Sequence, residues 1–385
     1  MKTYKFRIYP SKKQEMQMKE HLQIAKNIWN ELLAYSKDYY QKTGKFPSKS
    51  ELQMLSKGKG LFSQTQQNVA HKVSNSIFRF FKLKKKGVKC GFPRFKSIDG
   101  MKSLLYPQSG FKLDKKLKVT PFGEISIKKH RKIEGNIKTL TLKREPSGKW
   151  FAAFCTEEKI QISKQNKGKS VGIDLGLKTF ATLSNGELIK NPRHLKQHEE
   201  QLAKLQKELS KKKKGSENRQ KARLKVAKIY EKVSNTRADF LHKITTKLVN
   251  DYSLIALEKL APKEMSEQNF GKSINDAGWN MFANMISYKA ESAGCQVVFV
   301  DPKNTTQECS ACHQIVKKEL SDRIHNCPNC GLVLNRDLNA ARNILIKATE
   351  GHSESKLLEN GAIVPSMKEE AHILKGGGMS HHTSA

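Results

Sequence analysis

Two cysteine pairs, Cys309-x2-Cys312 and Cys327-x2-Cys330, constrain the fold of this chain more than any other feature. Each pair can present two thiolates from one tight knuckle, and a spacer of hairpin length lets the knuckles close on one tetrahedral ion. The expectation is a single structural Zn²⁺ held by Cys309, Cys312, Cys327 and Cys330, its shell closed and so without catalytic chemistry. Cys309-Ser310-Ala311-Cys312-His313 also fits the haem-attachment pattern, but the second pair favours zinc. Seven cysteines, an odd number, argue against a secreted disulfide framework. Cys90, Cys155 and Cys295 read as small buried apolar residues.

The segment that carries the second pair continues without a break into Asn335-Arg336-Asp337. A clamp explains the cysteines and a helix terminus explains the aspartate, but neither explains their adjacency. Asp337 precedes Ala340, Ala341 and Ile344 at i+3, i+4 and i+7, a small apolar helix face suited to close packing on a sheet. The acid is expected to point inward with that face, where it needs a partner.

Two further acids share that character. In Val171-Gly172-Ile173-Asp174-Leu175-Gly176 the strand period puts Asp174 on the face of its two glycines, which leave room beside it for a ligand or a phosphate backbone. Glu258 ends the apolar run Leu254-Ile255-Ala256-Leu257, where a carboxylate is costly unless it meets a cation or a donor. Converging carboxylates on two strands and a helix bind oxygen-preferring divalent ions, Mg²⁺ or Mn²⁺. Two such ions can activate water for phosphodiester hydrolysis.

Charge supplies the substrate. Lys and Arg number 72 against 36 Asp and Glu, a net of +36, which makes nucleic acid the default partner. An apolar run of the roughly 18–20 residues that span a bilayer is missing, and Met1-Lys2-Thr3-Tyr4-Lys5 leads into no signal-like apolar core. A soluble protein of the prokaryotic cytosol or nucleoid, without a membrane partner, is expected.

The remaining pattern predicts several domains. Lys5–Tyr9 alternates as a strand, and Ser11 with Gln14 has capping-box spacing for a helix burying Leu22, Ala25, Ile28, Trp29 and Leu32. A second helix over about 66–86 buries Val69, Val73, Ile77 and Phe80. It turns Lys72, Asn75 and Arg79 outward as candidate nucleic-acid contacts. From Gly91 to about Ile160 short alternating runs separated by Pro and Gly suggest an antiparallel β module. Ser184-Asn185-Gly186 signals a hairpin, residues 192–249 a lysine-rich helical pair, and 253–257, 279–293 and 296–300 a strand, helix and strand. Residues 351–385 hold four Glu and three Lys and read as a disordered tail.

Together these stretches resemble the TnpB family of transposon-encoded RNA-guided nucleases related to type V CRISPR effectors. The likeness is carried by Tyr4–Pro10, Gly91–Lys96, Val171–Gly176, Leu257-Glu258, Val300-Asp301-Pro302 leading into Thr305, the paired cysteines and Asn335–Asn343. It implies a multidomain α+β protein: an RNase H-like (RuvC) mixed β/α nuclease domain with an inserted zinc ribbon, and an N-terminal β-barrel wedge domain with a helical recognition insert. In this layout 1–10 is the first wedge strand, 11–88 the helical recognition domain and 89–165 the wedge barrel. The nuclease domain and its helical hairpin occupy 166–302, the zinc ribbon that handles target DNA 303–333, the last nuclease helix 334–348 and the tail 349–385.

The resemblance makes Asp174, Glu258 and Asp337 a catalytic triad for two Mg²⁺ ions. It places Arg323 near the catalytic centre and marks Lys72 as a contact to the target-adjacent motif; Asn75, Arg79 and Arg94 are further candidate nucleic-acid contacts. The implied activity is guide-RNA-directed cutting of double-stranded DNA beside a short motif, by a monomer in its RNA complex. Alternatives on the same fold are a nuclease-inactive RNA-guided repressor and a transposase or resolvase-type nuclease. The ribbon is expected to hold target DNA beside Asp337.

Overall fold

Alternating burial in β1 (Lys2–Tyr9), with Tyr4, Phe6 and Ile8 inside, begins the chain as its sequence period requires. Ser11 then caps α1 (Lys12–Thr43) through the predicted box: its hydroxyl accepts from Gln14 N, and Gln14 Oε1 accepts from Ser11 N. The chain is described here by a computed structural model over residues 1–97, 100–157, 168–260, 271–319 and 321–353. It divides into two compact units, residues 1–161 with 196–235, and residues 162–195 with 236–385.

In the first unit α1 is followed by α2 (Lys49–Leu55), a short helix the sequence pattern did not signal, and α3 (Ser63–Lys85). The strands are β2 (Ser103–Tyr106), β3 (Phe111–Leu113), β4 (Leu117–Val119), β5 (Gly123–Lys128), β6 (Asn136–Arg144) and β7 (Trp150–Glu157). With β1 they form a seven-stranded sheet in the order β2-β6-β7-β1-β5-β4-β3, every pair antiparallel. Inward residues of this sheet share one core with Leu22, Ala25, Ile28 and Trp29 of α1 and Val69, Val73 and Ile77 of α3. The stretch Gly91–Lys96 forms no strand. It is strapped to α1 instead: Trp29 Nε1 donates to Arg94 O, and the Asn30 side chain bonds both Lys96 N and Lys96 O.

The lysine-rich helices are α4 (Glu199–Ser210) and α5 (Glu217–Asp251), broken at the predicted lysine run. Residues 196–235 of this hairpin belong to the first unit, and α5 continues into the second.

The second unit is built on five strands: β8 (Lys169–Leu175), β9 (Thr179–Leu183), β10 (Leu188–Lys190), β11 (Tyr252–Glu258) and β12 (Gln296–Val300). They lie in the order β10-β9-β8-β11-β12, with β8 antiparallel to β9 and parallel to β11. Helices α6 (Gly271–Ala277) and α7 (Trp279–Ala293) and the carboxyl-terminal helix α8 (Arg336–Ser353) complete it. Val171, Ile173, Ile255 and Leu257 point to one face and share a core with Trp279, Phe282 and Ile286 of α7. Ala256 and Val300 point to the other and pack on Ile344 and Ala348 of α8. Because strand residues alternate, Gly172, Asp174 and Glu258 also belong to the α8 face. The hairpin β13 (Ile324–Asn326) and β14 (Val333–Asn335) leads straight into α8. That helix reaches Ser353, past the start of the expected tail; residues 354–385 lie outside the described residues.

Gly172 fixes how closely α8 can approach. A Cβ there would stand 2.1 Å from Ala341 O and 2.7 Å from Leu345 N, both helix backbone. The space expected for a ligand beside Asp174 is therefore filled by the helix, and the space at Gly176 by Thr179 O at 2.8 Å. Gly172→Ala is expected to cost about 3 kcal/mol or more, beyond ordinary overpacking because backbone must move. Denaturant unfolding of the purified variant measures it.

Candidate nuclease centre and zinc ribbon

Asp174 and Glu258 end neighbouring parallel strands. Leu257 pairs with Ile173, so the acids follow in step at the carboxyl ends, where open α/β sheets place their ligand sites. Asp337 enters from the first turn of α8, whose start is capped by Asn335: its Oδ1 accepts from Asp337 N at 2.9 Å and Leu338 N at 3.2 Å. The expected inward face of this helix is present, with Ala340, Ala341 and Ile344 fully buried. The positive end of the helix dipole thus lies among carboxylates, which it favours.

The electrostatics of the three acids are those of a cluster short of cations. Burial first, then the charges of Glu258 and Asp337, push the Asp174 carboxyl up to about 8, opposed by Arg336. Burial also raises Glu258, against the Thr305 hydroxyl and Lys347. The Arg336 guanidinium donates to Asp337 Oδ1 through Nε and Nη2, both at 3.3 Å, and Thr305 Oγ1 donates to Glu258 Oε1 at 2.5 Å. Among the described residues only the four cysteines form a group of three or more such side chains with ligand atoms within 4.8 Å of one another. Asp174 feels the charges of the other two carboxylates without all three standing that close.

The cysteines come together as their spacing predicts. Cys309 and Cys330 Sγ lie 3.6 Å apart and Cys312 and Cys327 Sγ 3.5 Å apart. Sulfurs at the corners of a tetrahedron with Zn–S near 2.3 Å would be about 3.8 Å apart, so the cluster is consistent with a structural zinc. Each knuckle closes with a bond back to its first cysteine: His313 N to Cys309 O, and Gly331 N to Cys327 O. Both closing residues are left-handed, with φ of 61° and 73°. His313 therefore completes a turn where its counterpart is glycine, which accounts for the haem-like pattern.

Two asparagines that sequence reasoning passed over tie α8 to the ribbon. Asn339 Nδ2 donates to Glu308 O and its Oδ1 accepts from Ser310 N, bracketing Cys309. Asn343 Nδ2 donates to Thr305 O and Glu308 O. Both are buried, four apart on one helix face. Their spacing in Asn339-x3-Asn343 signals a shared helix face, though not the carbonyls that face meets. Arg336 was also passed over, in favour of Arg323. The Arg323 side chain is exposed, while its carbonyl accepts from Arg336 N at the end of the β13–β14 ladder.

In the first unit the candidate nucleic-acid contacts spread over α3 and the strap. Asn75, Arg79 and Arg94 are exposed, and Lys72 is half-buried.

Comparison with known proteins adds three family matches. Residues 153–269, which include Asp174 and Glu258, match the OrfB_IS605 family, described as "Probable transposase". Residues 279–344, with the cysteines and Asp337, match "Cas12f1-like, TNB domain". Residues 1–45 match the family's "Helix-turn-helix domain", although here they form β1 and the single long helix α1. The chain is 28% identical over 378 residues to "Putative RNA-guided DNA endonuclease InsQ" of Escherichia coli (strain K12), covering 90% of this chain and 92% of that protein. It is 29% identical over 362 residues to a "Putative RNA-guided DNA endonuclease" of Streptomyces pristinaespiralis, covering 89% and 88%. Among solved structures, a Cas12f1–sgRNA–target DNA complex matches with a TM-score of 0.55 at 18% identity, over 86% of this chain and 82% of that one. That likeness gives a mixed α/β multidomain fold similar to Cas12 effectors.

The raised Asp174 has a consequence for stability. The folded chain keeps this proton up to about pH 8, while the unfolded chain loses it near the ordinary value of 3.8. Stability from this group is full below the lower value and declines as pH rises towards the upper one. Without added divalent cation, Asp174→Asn should match the wild type near about pH 4 and exceed it by roughly 1–3 kcal/mol near pH 8, as thermal unfolding across pH would record. In the ribbon, Cys327→Ser should abolish stoichiometric zinc in metal analysis and expose the loop of residues 303–333 to protease.

Proposed function

We propose, from the matches of residues 1–45 and 153–269 to the OrfB_IS605 family models, that the chain is a TnpB-type RNA-guided DNA endonuclease of a transposable element. The observation that carries the catalytic part is geometric: Asp174 and Glu258 stand in step near the carboxyl ends of the paired parallel strands β8 and β11, and Asp337 begins the helix packed on them, on a chain of net charge +36. A donor set of three carboxylates, with one guanidinium against it, fits hard divalent cations.

Asp174, Glu258 and Asp337 would hold Mg²⁺ or Mn²⁺, which when bound supplies the Lewis acidity that activates water and stabilises the leaving oxygen. The chain's own residues prepare that site. Burial raises the cost of leaving the carboxylates without counter-charge, so the cluster favours a dication once their protons leave. Arg336 keeps Asp337 oriented, and the strand pairing fixes Asp174 against Glu258. The four cysteines would hold one Zn²⁺ and stiffen the ribbon that precedes α8.

In this reading the second unit is an RNase H-like, RuvC-type nuclease domain. Its sheet order, with an antiparallel meander joined to two parallel strands and closed by a carboxyl-terminal helix, supports that reading. The seven-stranded sheet of the first unit would be the wedge, with α1 to α3 as its recognition insert. Asn75, Arg79, Arg94 and Lys72 would contact phosphates or bases there, and Arg323 would act near the catalytic centre. Base pairing by a guide RNA supplies sequence choice, while the basic faces hold the duplex through its phosphates.

The test uses the protein with its co-purified RNA. Guide-matched double-stranded DNA with the correct flanking motif should be cut in Mg²⁺, and Asp174→Ala should bind that DNA with unchanged affinity yet cut at least about a thousandfold more slowly. Equal cleavage by the variant would remove Asp174 from the site. Binding without cleavage by the wild type would make the chain a repressor.

A further inference from the structure

Among the described residues Glu258 has one side-chain hydrogen-bond donor, and the loop that supplies it is held by the helix that carries Asp337. Thr305 is buried, and its Oγ1 lies 2.5 Å from Glu258 Oε1 and 3.0 Å from Pro302 O. A hydroxyl has one proton to give, and the carboxylate is the nearer acceptor. Thr305 cannot drift, because Asn343 Nδ2 donates to its carbonyl at 2.9 Å and to Glu308 O at 2.7 Å. Both neighbours of that amide nitrogen are carbonyl oxygens, so the amide has one orientation. Asn343 Oδ1 is left buried with no hydrogen-bond partner among the described residues, a cost borne while the loop is kept in place.

We propose that Thr305 is a positioning residue: its hydroxyl fixes one oxygen of Glu258, leaving the other free to turn towards Asp174, and Asn343 fixes Thr305. This rests on the reading of Glu258 as a metal-binding carboxylate. An ionised glutamate beside other acids would otherwise rotate away from them, since its three side-chain torsions are free and like charges repel. One donor at Oε1 opposes that rotation. Groups that orient a metal-binding carboxylate in this way typically govern metal affinity by 10–100-fold.

The same chain of bonds reaches the ribbon. Asn339 and Asn343 both donate to Glu308 O, the residue before the first zinc-type ligand. A ribbon displaced by its nucleic acid would therefore pull on the loop that orients Glu258.

Mn²⁺ titration of the purified full-length chain, with free Mn²⁺ read by electron paramagnetic resonance, tests the proposal. The variants are Thr305→Val, which keeps the branched shape without the hydroxyl, Thr305→Ser, which keeps the hydroxyl, and Glu258→Gln. Zinc content and thermal midpoint are measured alongside. Glu258→Gln should remove the tightest Mn²⁺ site, Thr305→Val should weaken it about tenfold, and Thr305→Ser should restore it to within about twofold. Zinc content should stay at the wild-type value in both Thr305 variants, and Thr305→Val should lower the midpoint by only a few degrees, as loss of one buried hydrogen bond does. If Glu258→Gln loses the site while Thr305→Val binds as the wild type does, the positioning role is overturned. It is overturned equally if Thr305→Ser is as weak as Thr305→Val, or if Thr305→Val loses zinc. If Glu258→Gln binds Mn²⁺ as the wild type does, or the wild type has no such site, the metal reading itself fails.

Discussion

The approach of α8 to β8 at Gly172 is the contact on which the second unit depends. With hydrogen as its side chain, the strand lets the carbonyl of Ala341 and the amide of Leu345 lie where a Cβ would be. Ala340, Ala341 and Ala348 extend that small-residue surface along the helix, and Ile344 fills the remaining depth beside Ala256 and Val300. Close packing of this kind tolerates little displacement. The first turn of α8, and Asp337 with it, is thereby set against the ends of β8 and β11. Three acids distant in sequence come near enough for two of them to act on Asp174 because one helix is allowed unusually near one strand.

That meeting is unfavourable by itself. Burial and mutual repulsion raise Asp174 far above its ordinary range, and a fold with no use for the cluster would be more stable without it. The opposite face of the sheet offsets the cost: Val171, Ile173, Ile255 and Leu257 bury against Trp279, Phe282 and Ile286. Full burial of side chains of this size contributes about 1.5–3 kcal/mol each, which offsets a strained charge cluster on the reverse side. Local inconsistency of this sort, supported by a consistent remainder, is what a working site looks like energetically.

Much of this was readable in the residues, and the failures have physical reasons. Capping-box spacing at Ser11, the run Trp279–Ala293, the strand Gln296–Val300 and the cysteine spacing each encode local geometry, and each stands where the pattern put it. Parity along β8 correctly put Asp174 on the face of Gly172. It could not say what fills the space beside the glycine, because a helix 160-odd residues later in the chain does so. The lysine-rich hairpin was read as an appendage of the nuclease part, since that is where it falls in sequence, yet residues 196–235 cluster with the first unit. Thr305, Asn339 and Asn343 were missed for another reason. Their partners are backbone carbonyls and a carboxylate brought near only by the fold, and nothing in a polar residue's identity reveals such a partner beforehand.

The adjacency of the second cysteine pair and Asp337 follows from these bonds. Strand β14 pairs with β13 up to Asn335, the ladder is prolonged by Arg336 N to Arg323 O, and Asn335 then caps the helix that begins at Arg336. No linker intervenes, so the ribbon's orientation is transmitted to the first turn of α8 through backbone rather than through side chains. Asn339 returns the connection one turn later by gripping both sides of Cys309. The ribbon is thus held at two points, its last strand and its first knuckle, by a single helix. A flexible joint between them would let the ribbon move without disturbing Asp337. The fused arrangement does the reverse, and a force applied to the ribbon by a bound strand would be felt at the carboxylates.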